Sequence, residues 1–222
     1  MLGILTLATE FPRIAGDVGA AETFAFPVRY ARIDGATVDA VVHRPDDALL
    51  ARFVAAGRAL AADGCAGIAT TCGFLARWQR ELAAALPVPV LTSALLQVPL
   101  LERLLAPGRR VGIVTYSATD LAPATLRAAG VDTDVPVEGV APEGVFARTI
   151  RHGATALDRE AMAADVVAAA QRLMRRDPSV SMFVLECANM PPYREAIVAA
   201  TKLPVFDAAQ LCAWFHAGLP PR

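Results

Sequence analysis

Little in this chain of 222 residues is paired. Its three histidines, at 43, 152 and 216, stand alone, with no ligand-like partner three or four positions away. Its four cysteines, at 65, 72, 187 and 212, contain no C-x-x-C pair and are too few for a disulfide framework in a chain this long. The same spacings leave a structural zinc site unsupported, so no metal is expected, and in a reducing compartment the cysteines are free thiols. A net charge of −1 provides no basic excess for nucleic acid or an anionic membrane. The longest uncharged stretch, Leu82 to Leu101, is interrupted by Pro87, Pro89 and Pro99 and carries Ser93 and Gln97, so no membrane span is expected. Met1-Leu2-Gly3-Ile4-Leu5 has neither the basic region nor the cleavage site of a signal peptide, which makes a cytoplasmic location the default.

What is present is apolar: 55% of the residues, with alanine making up most of the excess. That length and content suit one large domain or two small lobes. Short apolar runs alternate with alanine-rich amphipathic segments, which predicts an α/β chain with mostly parallel strands. Strands are predicted at Leu2–Leu7, Thr37–Val42, Gly67–Thr71, Pro89–Leu91, Arg110–Thr115, Val135–Val137, Met182–Leu185 and Pro204–Phe206. Helices are predicted at Asp46–Ala62, Leu75–Ala85, Leu95–Leu105, Ala118–Ala129, Asp158–Arg175, Tyr193–Ala200 and Ala208–His216. Asp158 suits an N-cap.

The chain also repeats itself. Gly3-Ile4-Leu5-Thr6 recurs as Gly112-Ile113-Val114-Thr115. Cys72 and Cys187 lie 115 residues apart, each after a short apolar run, and each is followed 17 residues on by Pro-Val, as Pro89-Val90 and Pro204-Val205. In that register Trp78 falls on Tyr193. Three matches in order predict two pseudo-symmetric lobes, each a mostly parallel sheet flanked by helices, whose two thiols can face one cleft from opposite sides. The expected boundaries are 1–94 for the first lobe and 95–205 for the second, with a C-terminal helix over 206–222 returning to the first.

Open α/β sheets collect reacting groups at the carboxyl ends of their strands, where both cysteines are expected. A thiol at a helix N-terminus has a lowered pKa and can act as base or nucleophile. Cys65 and Cys212 fall on Val180 and Gln97 in the repeat, have no partner thiol, and read as small buried hydrophobes.

On these residues the chain resembles the aspartate/glutamate racemase superfamily. The likeness rests on Gly3-Ile4-Leu5, Thr71-Cys72-Gly73, Val111-Gly112-Ile113-Val114-Thr115-Tyr116, Glu186-Cys187 and Pro204-Val205-Phe206-Asp207. It implies a two-lobed enzyme without pyridoxal phosphate or metal, in which one cysteine takes the α-proton of a small amino acid or derivative and the other returns one to the opposite face. It also implies a small carboxylate substrate and a homodimer or larger assembly. Decarboxylases of this superfamily keep only the second-lobe cysteine, so the pair argues against that activity. A hydantoin racemase, a maleate-type cis–trans isomerase and a non-catalytic small-acid binding protein remain alternatives. Glutamate racemases commonly carry Asn-Thr and Thr-His after their cysteines, where this chain has Gly73-Phe74 and Ala188-Asn189. The resemblance therefore does not assign glutamate or aspartate.

Beside the two catalytic candidates, substrate contacts are expected from Thr71, Gly73, Thr115, Tyr116, Ser117, Asn189 and Arg13. In the resembled family the residues at Thr115-Tyr116-Ser117 bind a substrate carboxylate, although Ser117 could equally cap a helix. Thr71 could bind substrate or satisfy a strand end, and Asn189 could be an amide donor or an N-cap. Arg13 lies in the loop after the first strand and could clamp a carboxylate, and Gly16-Asp17 read as turn residues. Glu186 could modulate the neighbouring thiol or pair with an arginine, with a structural role preferred.

Overall fold

The computed structural model describes residues 1–220. Its strands are β1 (Leu2–Thr6), β2 (Val28–Arg32), β3 (Gly67–Thr70), β4 (Val90–Leu91), β5 (Arg110–Thr115), β6 (Val137–Gly139), β7 (Val180–Leu185) and β8 (Val205–Phe206). They form two four-stranded sheets, ordered β2-β1-β3-β4 and β6-β5-β7-β8, with every pair parallel. The second order is the first with each number raised by four, so the repeat seen in the sequence is a repeat of topology. The central strands β1, β3, β5 and β7 are buried almost throughout, as parallel strands covered on both faces must be.

The α-helices are α1 (Val38–Val42), α2 (Asp47–Ala62), α3 (Gln79–Ala85), α4 (Val98–Glu102), α5 (Pro123–Ala128), α6 (Val145–His152), α7 (Arg159–Arg176), α8 (Arg194–Thr201) and α9 (Ala208–Ala217). Asp46, Asp158 and Asp207 cap α2, α7 and α9 by accepting backbone N–H groups of the first turn. Trp78 and Tyr193 each end a 3-10 turn and lead directly into a helix, and each ring lies about 6 Å from a buried phenylalanine, Phe53 at 5.9 Å and Phe146 at 6.1 Å. No helix among the described residues is long and apolar enough to cross a membrane.

Four elements differ from expectation. Thr37–Val42 is not a strand: the Thr37 hydroxyl accepts from the Ala40 N–H and starts the short helix α1. The sheet edge is instead β2, a strand not expected from the sequence, whose exposed Arg29 and Arg32 suit an edge strand. Helix α6 begins at Gly144 without a local side-chain cap, because Asp165 of α7 accepts the Phe146 N–H from 19 residues away. The expected helix over Ala118–Ala129 shortens to α5, since Ser117–Asp120 forms a hydrogen-bonded turn and Pro123 opens the helix.

The C-terminal helix α9 lies on the first sheet. A methyl group at Gly67 of β3 would come within 2.7 Å of Leu219 and 2.9 Å of Phe215, and the His216 ring stacks on Phe26 at 3.7 Å. Residues 221 and 222 of the expected 206–222 segment lie outside the described residues.

Candidate active site

Cys72 follows β3 and Cys187 follows β7, the equivalent strands of the two sheets, and both line one cavity between them. The cavity measures about 30 Å³, room for about two waters. Its walls are largely apolar, from Leu7, Val38, Val42, Phe74 and Ile150, with Thr9, Arg13, Thr71, Tyr116, Glu186 and Asn189 as polar groups. Thr9, Val38, Tyr116 and Ile150 also border an outer chamber of about 210 Å³, lined further by Arg151 and His152.

The thiols are not the ready thiolates expected from their strand-end positions. Burial pushes Cys72 up to about 12, with the Glu186 carboxylate adding to the rise and the Phe74 and Leu75 N–H groups opposing it. Burial, then Glu186, raise Cys187 well above the ordinary thiol value. The physical reason is that α-helix begins at neither cysteine. A 3-10 turn follows Cys72, and the second lobe has only Pro191–Tyr193 before α8. Desolvation in an apolar cavity therefore outweighs the few amide dipoles.

Cys187 donates its S–H to Asn189 Oδ1 at 3.6 Å. Asn189 Nδ2 donates to Asp17 Oδ2 at 2.8 Å, and Asp17 receives Arg13 Nη1 at 2.9 Å and the Gly19 N–H at 2.7 Å. Arg13 Nη2 also donates to Thr9, and the guanidinium lies 4.5 Å from the Phe11 ring centroid. Asp17, read from sequence as a turn residue, is thus a buried link between the loop after β1 and the second-lobe cysteine. The same loop crosses the cleft by a Val18 N–H to Ala188 carbonyl bond at 3.2 Å.

The other expected contacts divide. Thr71, Gly73, Tyr116, Asn189 and Arg13 line the cavity. The Thr71 hydroxyl accepts the Leu7 N–H, and the Tyr116 hydroxyl accepts from Arg151 Nε at 3.3 Å. Thr115 and Ser117 do not line it. Thr115 is buried and donates to Glu186 Oε2 at 2.8 Å, while Ser117 turns away to donate to Asp120 at 2.6 Å. Glu186 is fully buried, and desolvation raises it from the usual carboxylate range to about 7, against hydrogen bonds from Thr115 and the Tyr116 backbone.

No protein-family model matches the chain. Among solved structures, allantoin racemase from Pseudomonas fluorescens superposes with a TM-score of 0.66 at 16% identity, covering 100% of this chain and 94% of that one. Glutamate racemase from Thermus thermophilus gives 0.61 at 21% identity, covering 99% and 83%. A sulfate-associated mutant of arylmalonate decarboxylase gives 0.64 at 18% identity, covering 97% and 91%. The chain has the fold of the aspartate/glutamate racemase superfamily.

Within that racemase fold, the curated sequence relatives carry a different activity in their names. Dimethylsulfoniopropionate lyase from Durusdinium sp. clade D is 28% identical over 226 residues, 98% of this chain and 74% of that protein. Dimethylsulfoniopropionate lyase 7 from Emiliania huxleyi is 28% identical over 230 residues, 98% of this chain and 67% of that protein. The chain spans 59% of the length of two further lyases from that alga.

Proposed function

We propose that this chain is a cofactor-independent enzyme that moves protons at the carbon next to a carboxylate, with Cys72 and Cys187 as its acid–base pair. The observation that carries this is the meeting of two thiols, from equivalent strand ends of two lobes, in one water-poor cavity. In the first step a thiolate takes the Cα proton and the C–H electron pair passes into the carboxylate as an enediolate. The opposite thiol then protonates the other face. The product is the mirror-image carbon, and the two cysteines have exchanged protonation states. The substrate carboxylate is assigned to the side of Thr71 and Tyr116, beside Arg13, which would have to share its guanidinium between the substrate and its Asp17 and Thr9 partners. The leading reading is an isomerase acting on a small amino acid or derivative.

The second reading is a lyase, and the similarity to dimethylsulfoniopropionate lyases across 98% of the chain favours it. It shares the first step. Where Cβ carries a leaving group, the same electron pair forms the Cα=Cβ bond and the Cβ–S bond breaks with its electrons going to sulfur. A sulfonium would leave as a neutral sulfide and the acid would become unsaturated.

One experiment separates these. Proton NMR in D₂O, over amino acids, hydantoins, small dicarboxylates and dimethylsulfoniopropionate, reads Cα deuterium uptake and alkene formation together. Uptake lost in both Cys72→Ala and Cys187→Ala supports the acid–base pair, and uptake that persists in both overturns it. The proposal extends to a homo-oligomer in the cytoplasm. Exposed Leu100, Leu104 and Trp214 line one apolar groove that a second copy would cover, which light scattering would test.

A further inference from the structure

We propose that Arg151 is a positioning residue that commits the Tyr116 hydroxyl to donate its proton to the substrate carboxylate. The inference rests on the acid–base reading of Cys72 and Cys187 and adds a residue to that site.

The chain has three tyrosines. The Tyr30 hydroxyl donates to the Val18 carbonyl at 3.0 Å, and the Tyr193 hydroxyl donates to the Met162 sulfur at 3.4 Å. The Tyr116 hydroxyl accepts from Arg151 Nε at 3.3 Å and donates to no protein group among the described residues. A phenol oxygen that accepts from a guanidinium keeps its own hydrogen for a different acceptor. Tyr116 is buried, and a largely buried donor without an acceptor is costly. Its backbone N–H is held by the Glu186 carboxylate and its hydroxyl by Arg151, so the residue is fixed at both ends. Tyr116 borders both the inner cavity and the outer chamber, whereas Arg151 borders only the outer one. The Tyr116 side chain thus lies between the chamber that Arg151 borders and the cavity that holds the thiols.

The charges point the same way. Arg13 already gives its terminal nitrogens to Asp17 and Thr9. Arg151 forms no ion pair among the described residues. Its charge is free to act on the phenol. A cation donating to the phenol oxygen polarises the O–H and makes it a stronger donor. The substrate carboxylate gains negative charge as the enediolate forms, which is when a strengthened donor matters most. Arg151 touches no reacting atom in this arrangement and acts through Tyr116.

NMR of the full chain carrying carbon-labelled tyrosine, read at Cζ, tests this with propanoate as the probe. The signal lost in Tyr116→Phe belongs to Tyr116. In the wild type that signal is expected to move saturably with propanoate. Arg151→Met should shift it in the unliganded protein, leave the Tyr30 and Tyr193 signals in place, and weaken propanoate binding at least about fivefold. In the Tyr116→Phe background, read by calorimetry, the same substitution should change propanoate affinity by less than about twofold. A Tyr116 signal that ignores propanoate, or wild-type affinity in Arg151→Met, overturns the proposal. So does equal weakening in the Tyr116→Phe background, because Arg151 then acts without Tyr116. Arg151 is exposed, so Arg151→Met should fold; if it does not, Arg151→Gln is held to the same limits. The readout needs no turnover. A failed acid–base reading appears as Cα exchange that is absent, or that survives in both cysteine variants, with the Tyr116 response to propanoate intact. A failed positioning role appears as cysteine-dependent exchange with a Tyr116 signal indifferent to Arg151.

Discussion

Gly73 of the first lobe and Glu186 of the second are in contact across the cleft: a methyl group at Gly73 would lie 2.2 Å from Glu186 Oε1 and 2.3 Å from the Glu186 carbonyl oxygen. The residue after Cys72 is therefore glycine because of the residue before Cys187. Gly73→Ala must push the lobes apart or displace the carboxylate. It is expected to cost about 1–3 kcal/mol in urea denaturation, the usual range for overpacking, and to reduce Cα exchange more than tenfold. Wild-type exchange in Gly73→Ala would show that the contact is dispensable.

The buried thiols predict slow chemistry in the resting protein. With Cys72 pushed up to about 12 and Cys187 well above its ordinary value, little thiolate exists at neutral pH. Iodoacetamide at about pH 8 should modify both at least about a hundredfold more slowly than in the urea-unfolded chain, with rates rising as pH increases. Peptide mass mapping against time reads each site separately.

Glu186 gives stability a pH dependence of defined sign. Its folded pKa, about 7, lies above the ordinary carboxylate value of 4.5, so the folded state holds its proton more tightly than the unfolded state. That contribution is fully present below about pH 4.5 and is lost as pH rises through about 7. Glu186→Gln should remove this part of the slope, leaving the variant more stable than wild type near pH 8 by up to about 3 kcal/mol. Denaturation midpoints of both proteins between about pH 5 and pH 8 provide the comparison.

The string from Arg13 through Asp17 and Asn189 to Cys187 predicts graded losses. Asp17→Ala leaves the Arg13 charge without its carboxylate and Asn189 without its acceptor, and is expected to destabilise the chain by about 3–5 kcal/mol. Asn189→Ala removes the Cys187 acceptor and one donor to Asp17, which keeps Arg13 and the Gly19 N–H, and it should fold, with exchange reduced about tenfold or more. If Asp17→Ala is as stable as wild type, the buried link has no structural weight.

Several of these features were legible in the sequence because they are local or repeated. The Cys72 and Cys187 register, the Trp78 and Tyr193 match and the Asp158 cap each depend on a few adjacent residues. What was missed depends on contacts distant in sequence. Helix α6 is capped by Asp165, Asp17 acquires its role from Asn189, 172 residues away, and Glu186 from a cavity closed by the other lobe. Thr37–Val42 read as a strand from its valines, yet one threonine hydroxyl turned it into a helix. The thiol pKa was expected with the wrong sign because strand-end position can be read from sequence, whereas desolvation depends on both lobes closing together.

The loop after β1 ties Asp17 to Asn189 and Val18 to Ala188 over a chamber with room for about two waters. If the acid–base reading holds, a movement of this loop that widens the chamber breaks the hydrogen bond that orients the acceptor of Cys187. Opening and the readiness of that thiol would then be linked, and the slow step of such a cycle would belong to the loop rather than to the proton.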